Sequence, residues 1–138
     1  MNNRLLMVGS DNPTTWIVYN RLVREFGPLD IIIEEQVPLV VFCQNNQWAI
    51  SVPLSEQTVS SSIAIKAAAY GMRGVRVDGN DLLAVITVMR EAVERARSGG
   101  GPTFVEALTF RMGGHSSSDD PTRYRDPELV KTWEKRDP

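Results

Sequence analysis

This chain of 138 residues contains one cysteine and one histidine, and these low counts exclude several kinds of site. A single thiol cannot form an internal disulfide, and it cannot supply the thiolates that most structural zinc sites require. Cys43 ends an apolar run that begins at Val40, which predicts a buried, unreactive thiol. The alternative, a catalytic thiol, requires a base beside it.

Charge of one sign and long apolar runs are also lacking. Lys and Arg number 15 against 17 Asp and Glu, so the net charge is −2, and no basic run is long enough to follow a phosphate backbone. No apolar run approaches the ~20 residues of a membrane span. The run Leu5 to Val8 is too short for a signal peptide and no small-residue cleavage site follows it. We therefore expect a cytoplasmic protein with no nucleic-acid or membrane partner.

Strand and helix patterns alternate along the chain. Apolar runs predict strands at residues 4–8, 30–34, 38–43, 75–77 and 103–110, and helical spacing predicts helices after Asn12, Ser60, Asp81 and Asp126. Such alternation is typical of right-handed crossovers between parallel strands. The sequence therefore predicts a single α/β domain over residues 1–138, with three layers: a mostly parallel sheet and helices on both of its faces.

The helix after Asp81 has the clearest pattern. Its predicted buried stripe comprises Leu82, Val85, Ile86, Met89, Val93 and Ala96. Two oppositely charged pairs spaced four residues apart, Arg90 with Glu94 and Glu91 with Arg95, are predicted on its exposed face. The last helix is predicted to have Asp126 as its cap and Pro127 in its first turn, and to face inward through Leu129, Val130 and Trp133.

Three segments in a fixed order carry a family resemblance: Gln44 to Ser51, Val77 to Asp81, and Phe110 to Arg125. At these spacings the region 37–138 closely resembles the α-subunit of thiamine-diphosphate-dependent 2-oxoacid dehydrogenases. The resemblance implies oxidative decarboxylation of a branched-chain 2-oxoacid or pyruvate, with acyl transfer to a lipoyl carrier. The residues from Ser118 to Arg125 resemble the branched-chain enzymes slightly more than the pyruvate enzymes.

The resemblance also implies cofactor and metal ligands. In that family an Asp, an Asn side chain and a backbone carbonyl two residues later bind magnesium, which prefers hard oxygen ligands. Here Asn46 would be the side-chain ligand, Trp48 would give its carbonyl, and Ile50 would lie beside the bent thiamine diphosphate. The alternative is that Asn45-Asn46 is only a turn after a strand, since Asn favours turns.

For the loop after residue 110, the resemblance implies that His115 is catalytic and binds the cofactor, with Arg111 contributing positive charge. Imidazole can donate to a phosphate oxygen or exchange protons near neutral pH. The alternative is an exposed loop histidine without a role. Ser116 to Ser118 occupy the region where mitochondrial relatives are phosphorylated, although a flexible polar loop is the alternative that we favour here. Asp119, Asp120 and Arg123 are predicted to order the loop through ion pairs.

One part of the family pattern is missing. The Gly-Asp-Gly turn that should precede the Asn-Asn turn is absent, and Asp11 in Gly9-Ser10-Asp11 is the only replacement for its metal ligand. Residues 1–36 instead resemble the start of a formyltransferase-like domain, which suggests a chimera joined near residue 37. The family's β-subunit, which supplies the glutamate that activates the cofactor, and its lipoyl-bearing acyltransferase are separate chains. We therefore expect the chain alone to bind little or no thiamine diphosphate or magnesium and to be inactive.

Three functions follow as hypotheses. The first is a fragment of a dehydrogenase α-subunit. The second is a non-catalytic chimeric α/β domain that associates with itself as a homo-oligomer, most simply a symmetric dimer. The third is a small α/β transferase that uses residues 1–36, which no active-site motif supports. Magnesium-dependent binding of thiamine diphosphate distinguishes the first from the second.

Overall fold

A computed structural model describes the backbone of residues 6–9 and the whole of residues 38–138. The predicted strand at the N-terminus is confirmed as β1, Leu6–Gly9. The helix predicted after Asn12, the strand predicted at 30–34 and the metal-ligand replacement Asp11 lie outside the described residues.

The described strands form one parallel sheet and one small hairpin. After β1 come β2 (Val40–Asn45), β3 (Trp48–Ala49), β4 (Val52–Pro53), β5 (Arg73–Asp78) and β6 (Thr103–Leu108). The parallel sheet has the order β1-β2-β6-β5, and β3 pairs with β4 in antiparallel fashion. The predicted mostly parallel α/β fold is confirmed. Strand β6 ends two residues before the predicted end at Phe110.

Residues 38–138 contain five helices, three of which begin at a side-chain cap. They are α1 (Leu54–Gln57), the 3₁₀ helix η1 (Ala64–Tyr70), α2 (Leu82–Arg97), the 3₁₀ helix η2 (Pro121–Arg123) and α3 (Pro127–Glu134). The Asp81 side chain accepts a hydrogen bond from the Ala84 N–H (3.0 Å), and Asp126 accepts one from the Glu128 N–H (2.9 Å). Asp126 is the cap that was predicted, and both caps satisfy backbone donors that a helix start leaves free.

Helix α2 covers one face of the sheet. The buried core there comprises Val40, Val77, Ala92, Ala96, Val105 and Ala107, with Ala84, Val85, Val88, Met89 and Val93 packed against it. The predicted stripe was wrong at the first turns, because Leu82 and Ile86 are 69% and 37% exposed. The buried residues of α2, Ala92 and Ala96, lie in its C-terminal half, whereas the first turn packs against the core through Ala84 and Val85. Arg90, Glu91 and Glu94 are exposed as predicted, and Arg95 is half-buried. Glu91 pairs with Arg73 of β5 (3.5 Å).

The 3₁₀ helix η1 packs on the opposite face of the sheet. Gly74 of β5 permits this contact, since a Cβ on that residue would lie 2.2 Å from the Ala64 carbonyl oxygen and 3.3 Å from the Ala67 Cβ. Ala64 and Ala67 are buried against the sheet. Helices on both faces complete the predicted three layers, although this segment is a 3₁₀ helix that ends at Gly71, which has a φ of 66°.

Candidate functional site

The site begins where β2 ends, at two consecutive asparagines. Asn45 is buried, and its side-chain oxygen accepts a hydrogen bond from the Gln47 N–H (3.0 Å). The Asn46 side-chain oxygen accepts from the Trp48 N–H (3.0 Å). These two Asx turns reverse the chain with Gln47 at a φ of 69°. The turn that the alternative interpretation predicted is therefore present, and it fixes the direction of the Asn46 side chain.

The hairpin after this turn determines where the Trp48 carbonyl points. The Gln47 carbonyl accepts from the Leu54 N–H (2.9 Å), so the next pair, Trp48 with Pro53, is a non-hydrogen-bonded pair of the ladder. The N–H and C=O of Trp48 therefore point away from β4. Because the N–H is bonded to Asn46, the carbonyl lies on the same side as the Asn46 side chain. The two predicted metal-binding oxygens share one side of the turn.

Ile50 occupies the tip of the hairpin between β3 and β4. Its φ is 55°, a conformation that β-branched residues rarely adopt, and its side chain is 55% exposed. The Ile50 carbonyl accepts a hydrogen bond from the Arg111 guanidinium. The Arg111 N–H also donates to the Asn46 carbonyl (3.2 Å). Arg111 therefore joins the Asn46 turn and the hairpin tip, so the predicted residues Asn46, Trp48, Ile50 and Arg111 form one connected group.

Hydrogen bonds to Asp119 order the loop that carries His115. One Asp119 carboxylate oxygen accepts from the Tyr124 hydroxyl (2.5 Å) and from the His115 N–H (2.7 Å). These bonds, that of Tyr124 first, lower the pKa of Asp119, and the same carboxylate raises the pKa of Tyr124. Arg111 donates to the Tyr124 hydroxyl (3.3 Å). His115 thus joins the site through its backbone, while its imidazole lies exposed on the loop.

The ion pairs predicted for this loop were wrong. Asp120 accepts from the N–H (3.1 Å) and the hydroxyl (2.7 Å) of Thr122 and so caps η2. These bonds, that of the hydroxyl first, lower the pKa of Asp120. Within residues 110–126, Arg123 is exposed and forms no ion pair with Asp119 or Asp120. Short polar side chains such as Asp form hydrogen bonds with nearby backbone N–H groups in preference to ion pairs with a more distant cation.

Arg125 is a residue of the site that the sequence did not reveal. It is buried at 6% exposure, and its guanidinium donates to the carbonyls of Arg111, Met112 (2.5 Å) and Gly113 (3.3 Å). It also lies over the Phe110 ring, 5.5 Å from the centroid. Burial lowers its pKa. Nothing in the sequence separates Arg125 from the neighbouring exposed Arg123, so no signal could have identified it.

A cleft of about 350 Å³ opens beside Trp48. Phe110 and Leu129 form part of its wall, which explains why Leu129 of α3 is 39% exposed although it was predicted to face inward. Trp133 is buried as predicted and stacks on Phe110 with centroids 5.3 Å apart. Trp48 contacts Tyr124 of the loop, with ring centroids 5.5 Å apart.

The described residues set limits on other chemistry. No group of three or more His, Cys, Asp or Glu within residues 38–138 could hold a metal ion. None of the described helices combines the length and apolarity needed to cross a bilayer. Cys43 is half-buried, whereas the sequence predicts a buried thiol. Burial, together with the charge of Glu106, raises the pKa of the Cys43 thiol to about 11, which agrees with the predicted lack of reactivity.

The Cys43 thiol predicts a specific loss of stability in alkali. Its pKa in the folded chain, about 11, exceeds its ordinary value of 9.0, so the folded state keeps a proton that the unfolded state releases. The contribution of Cys43 to stability is therefore complete below pH 9.0 and is lost as the pH rises towards about 11. Denaturant titrations across this range should show a steeper decline for the natural chain than for Cys43→Ala. Equal slopes would contradict the prediction.

Comparison with known proteins decides the family. A family model described as "Dehydrogenase E1 component" matches residues 33–138. This chain belongs to the dehydrogenase E1 component family. The match begins four residues before the predicted joint at residue 37, and the comparisons give no support to a chimera. The formyltransferase-like origin of residues 1–36 stays a prediction.

The relatives are α-subunits. The chain is 59% identical over 101 residues to the 3-methyl-2-oxobutanoate dehydrogenase subunit alpha of Mycobacterium tuberculosis. The aligned region covers 73% of this chain and 28% of the relative. It is 49% identical over 104 residues to the pyruvate dehydrogenase E1 component subunit alpha of Bacillus subtilis (75% and 28%). It is 45% identical over 107 residues to the mitochondrial 2-oxoisovalerate dehydrogenase subunit alpha 2 of Arabidopsis thaliana (78% and 23%).

These matches confirm the predicted α-subunit resemblance. The chain spans under a third of the length of each of these relatives. It is therefore an α-subunit segment of an E1 component, a family that depends on thiamine diphosphate.

Proposed function

We propose that this E1 segment carries the metal-side half of the thiamine diphosphate site of a 2-oxoacid dehydrogenase. The observation that carries the proposal is the hydrogen bond from the Trp48 N–H to the Asn46 side-chain oxygen in a non-hydrogen-bonded pair of the hairpin. From it we infer that this oxygen and the Trp48 carbonyl point in a common direction. Neutral amide and carbonyl oxygens suit a small divalent cation such as Mg²⁺. The described residues therefore fit the metal that holds the cofactor's diphosphate.

Asn46 and Trp48 would hold the magnesium ion, and Asp11 is proposed as the charged ligand. Thiamine diphosphate, when bound, supplies the carbanion chemistry that decarboxylation of a 2-oxoacid requires. Ile50 would lie beside the bent cofactor, and Arg111, fixed by the Ile50 carbonyl and the Tyr124 hydroxyl, would place positive charge near the diphosphate.

His115 is proposed as the residue that exchanges protons with the substrate or donates to a phosphate oxygen. It lies on a loop whose two ends are fixed: Asp119 binds the backbone of His115, and Arg125 binds the carbonyls of residues 111–113. Such anchoring of the backbone positions His115 as a general acid or base, even though its imidazole makes no catalytic contact before substrate and cofactor bind. A branched-chain 2-oxoacid is the proposed substrate class, since the most similar relative described above acts on 3-methyl-2-oxobutanoate.

The partners implied for the whole enzyme are a β-subunit and a lipoyl-bearing acyltransferase, both as proposals. The glutamate that activates the pyrimidine would come from the β-subunit. We therefore expect the chain alone, which we place in the cytoplasm, to decarboxylate neither 3-methyl-2-oxobutanoate nor pyruvate.

Calorimetric titration with magnesium and thiamine diphosphate tests the proposal. We expect weak binding by the natural chain, because two neutral oxygens without a confirmed carboxylate hold Mg²⁺ poorly. Asn46→Ala should abolish whatever binding is measured, and Asp11→Ala should weaken it. Asn80→Ala, which removes an asparagine that bonds the distant Arg136 carbonyl, serves as the matched control. Binding that survives Asn46→Ala would contradict the proposed ligand, and micromolar affinity of the natural chain would contradict the expected weakness.

The second candidate function, a self-associating non-catalytic domain, is favoured by one observation. Leu82, Leu83 and Ile86 at the start of α2 are 69%, 74% and 37% exposed within the described structure. Neighbouring exposed apolar side chains favour contact with another chain. We expect light scattering to give a dimer mass that falls towards the monomer in Leu82→Glu/Leu83→Glu. A monomer mass for the natural chain at high concentration would contradict this function.

A further inference from the structure

Glu106, in the centre of β6, is a buried carboxylate that the proposed function does not use. Its exposed fraction is 0%, and its two oxygens accept hydrogen bonds from different groups. The Asn45 side-chain NH₂ donates to Oε1 (2.6 Å), and the Ala64 N–H donates to Oε2 (2.8 Å). A carboxylate is costly to bury unless both oxygens are bonded. The Asn45 NH₂ and the Ala64 N–H, both neutral donors, offset the cost of burying this carboxylate. Asn45 directly precedes Asn46, the proposed metal ligand.

Strand register explains why Glu106 reaches this turn. Cys43 of β2 pairs with Glu106, so Asn45, two residues further along β2, lies on the same face of the sheet. Ala64 begins η1, which covers that face. Glu106 therefore connects the end of β2 with the start of η1.

The direction of each hydrogen bond in this network is determined by backbone donors at its two ends. The Gln47 N–H donates to the Asn45 side-chain oxygen, and the Ala64 N–H donates to Glu106. A backbone N–H can only donate, so the amide of Asn45 must turn its NH₂ towards Glu106. The residue at position 106 must in turn accept at both oxygens, which a carboxylate does.

We propose that Glu106 is a positioning residue for the metal side of the site. By holding the Asn45 amide in one orientation, it holds the Gln47 N–H and so sets the turn in which the Asn46 oxygen and the Trp48 carbonyl share a side. The ligand whose site it positions is a hydrated divalent cation with a diphosphate, and this part rests on the proposed function.

Exchanging donors and acceptors within the network tests the proposal. In Glu106→Gln, the Gln oxygen must face the Ala64 N–H, so its NH₂ meets the NH₂ of Asn45. In Asn45→Asp, two carboxylates meet. In the double variant Asn45→Asp/Glu106→Gln, the new NH₂ donates to the new carboxylate and every hydrogen bond is restored. Glu94→Gln, an exposed change of the same kind on α2, is the matched control.

Amide hydrogen exchange of the Gln47 and Trp48 N–H groups reports on the turn. Each single variant should accelerate their exchange ~10- to 100-fold, the range expected when a buried polar group loses its partner. Exchange at Ala92 and Ala96 in α2 measures global stability, and the acceleration at the turn should exceed the change there. The double variant should return the turn amides to within about threefold of the natural chain, and Glu94→Gln should leave them unchanged.

Unchanged exchange at Gln47 and Trp48 in Glu106→Gln would overturn the proposal, as would a double variant no better than the single ones. If a single variant fails to fold, the double variant decides, because a folded double variant with protected turn amides supports the proposal and an unfolded one contradicts it. A parallel titration with magnesium and thiamine diphosphate should rank the variants in the same order. If neither the natural chain nor any variant binds magnesium and thiamine diphosphate, that result contradicts the proposed function alone. The exchange result on Glu106 then still stands.

Discussion

Gly74→Ala is expected to destabilise the folded chain by about 3 kcal/mol, the upper range for overpacking a well-packed core. A Cβ at this position would lie 2.2 Å from the Ala64 carbonyl oxygen and 3.0 Å from its carbonyl carbon. Both atoms are backbone, so the strain cannot be relieved by moving a flexible side chain. Either η1 must move away from β5 or the strand must bend, and the movement of η1 would also disturb the Ala64 N–H bond to Glu106.

Urea unfolding followed by circular dichroism measures this loss. Gly113→Ala is the matched control, since a Cβ on Gly113 would meet nothing within 4 Å. We expect the control to change the free energy of unfolding by no more than about 0.5 kcal/mol. Equal stability of Gly74→Ala and Gly113→Ala would show that the close approach of η1 and β5 is absent in solution.

Arg125→Ala is expected to release the loop that carries His115. The guanidinium binds three successive carbonyls, those of residues 111–113, and lies over Phe110. Removing the guanidinium leaves those carbonyls without their donor and opens a space beside the aromatic ring. We expect this to lower the free energy of opening the loop by about 2–4 kcal/mol. Arg125→Lys keeps the charge, but an ammonium cannot donate in the planar fork, so it should recover only part of the loss.

Limited proteolysis and hydrogen exchange of residues 111–120 detect this release. Arg123→Ala is the control, because Arg123 is exposed two residues away and should leave the cleavage rate unchanged. Arg125→Ala should accelerate cleavage within the loop while amides of α2 stay protected. Equal cleavage rates for Arg123→Ala and Arg125→Ala would contradict the assigned anchor.

Features of the site that depend on neighbouring residues were predictable from the sequence. The caps at Asp81 and Asp126 act on N–H groups two or three residues away, and the structure confirms the predicted cap at Asp126. The Asn45-Asn46 turn is equally local, since each side chain bonds a backbone N–H two positions on. The family resemblance was also available, because it rests on the residues themselves and their order.

Features that join distant strands were not predictable. Glu106 and Asn45 are 61 residues apart, and only the parallel register of β2 and β6 brings them together. Arg125 differs from Arg123 only because its guanidinium reaches the carbonyls of residues 111–113. The exposure of Leu82 and Ile86 likewise depends on where α2 meets the sheet.

The sequence by itself determined the alternation of strands and helices, the caps, the Asn-Asn turn and the E1 family, because each depends on residues close together in the chain. Tertiary structure alone decided that a buried carboxylate holds that turn and that one arginine of two anchors the His115 loop. Burial and hydrogen-bond partners are properties of packed elements, and a pattern of residue types does not specify which distant side chain completes each bond.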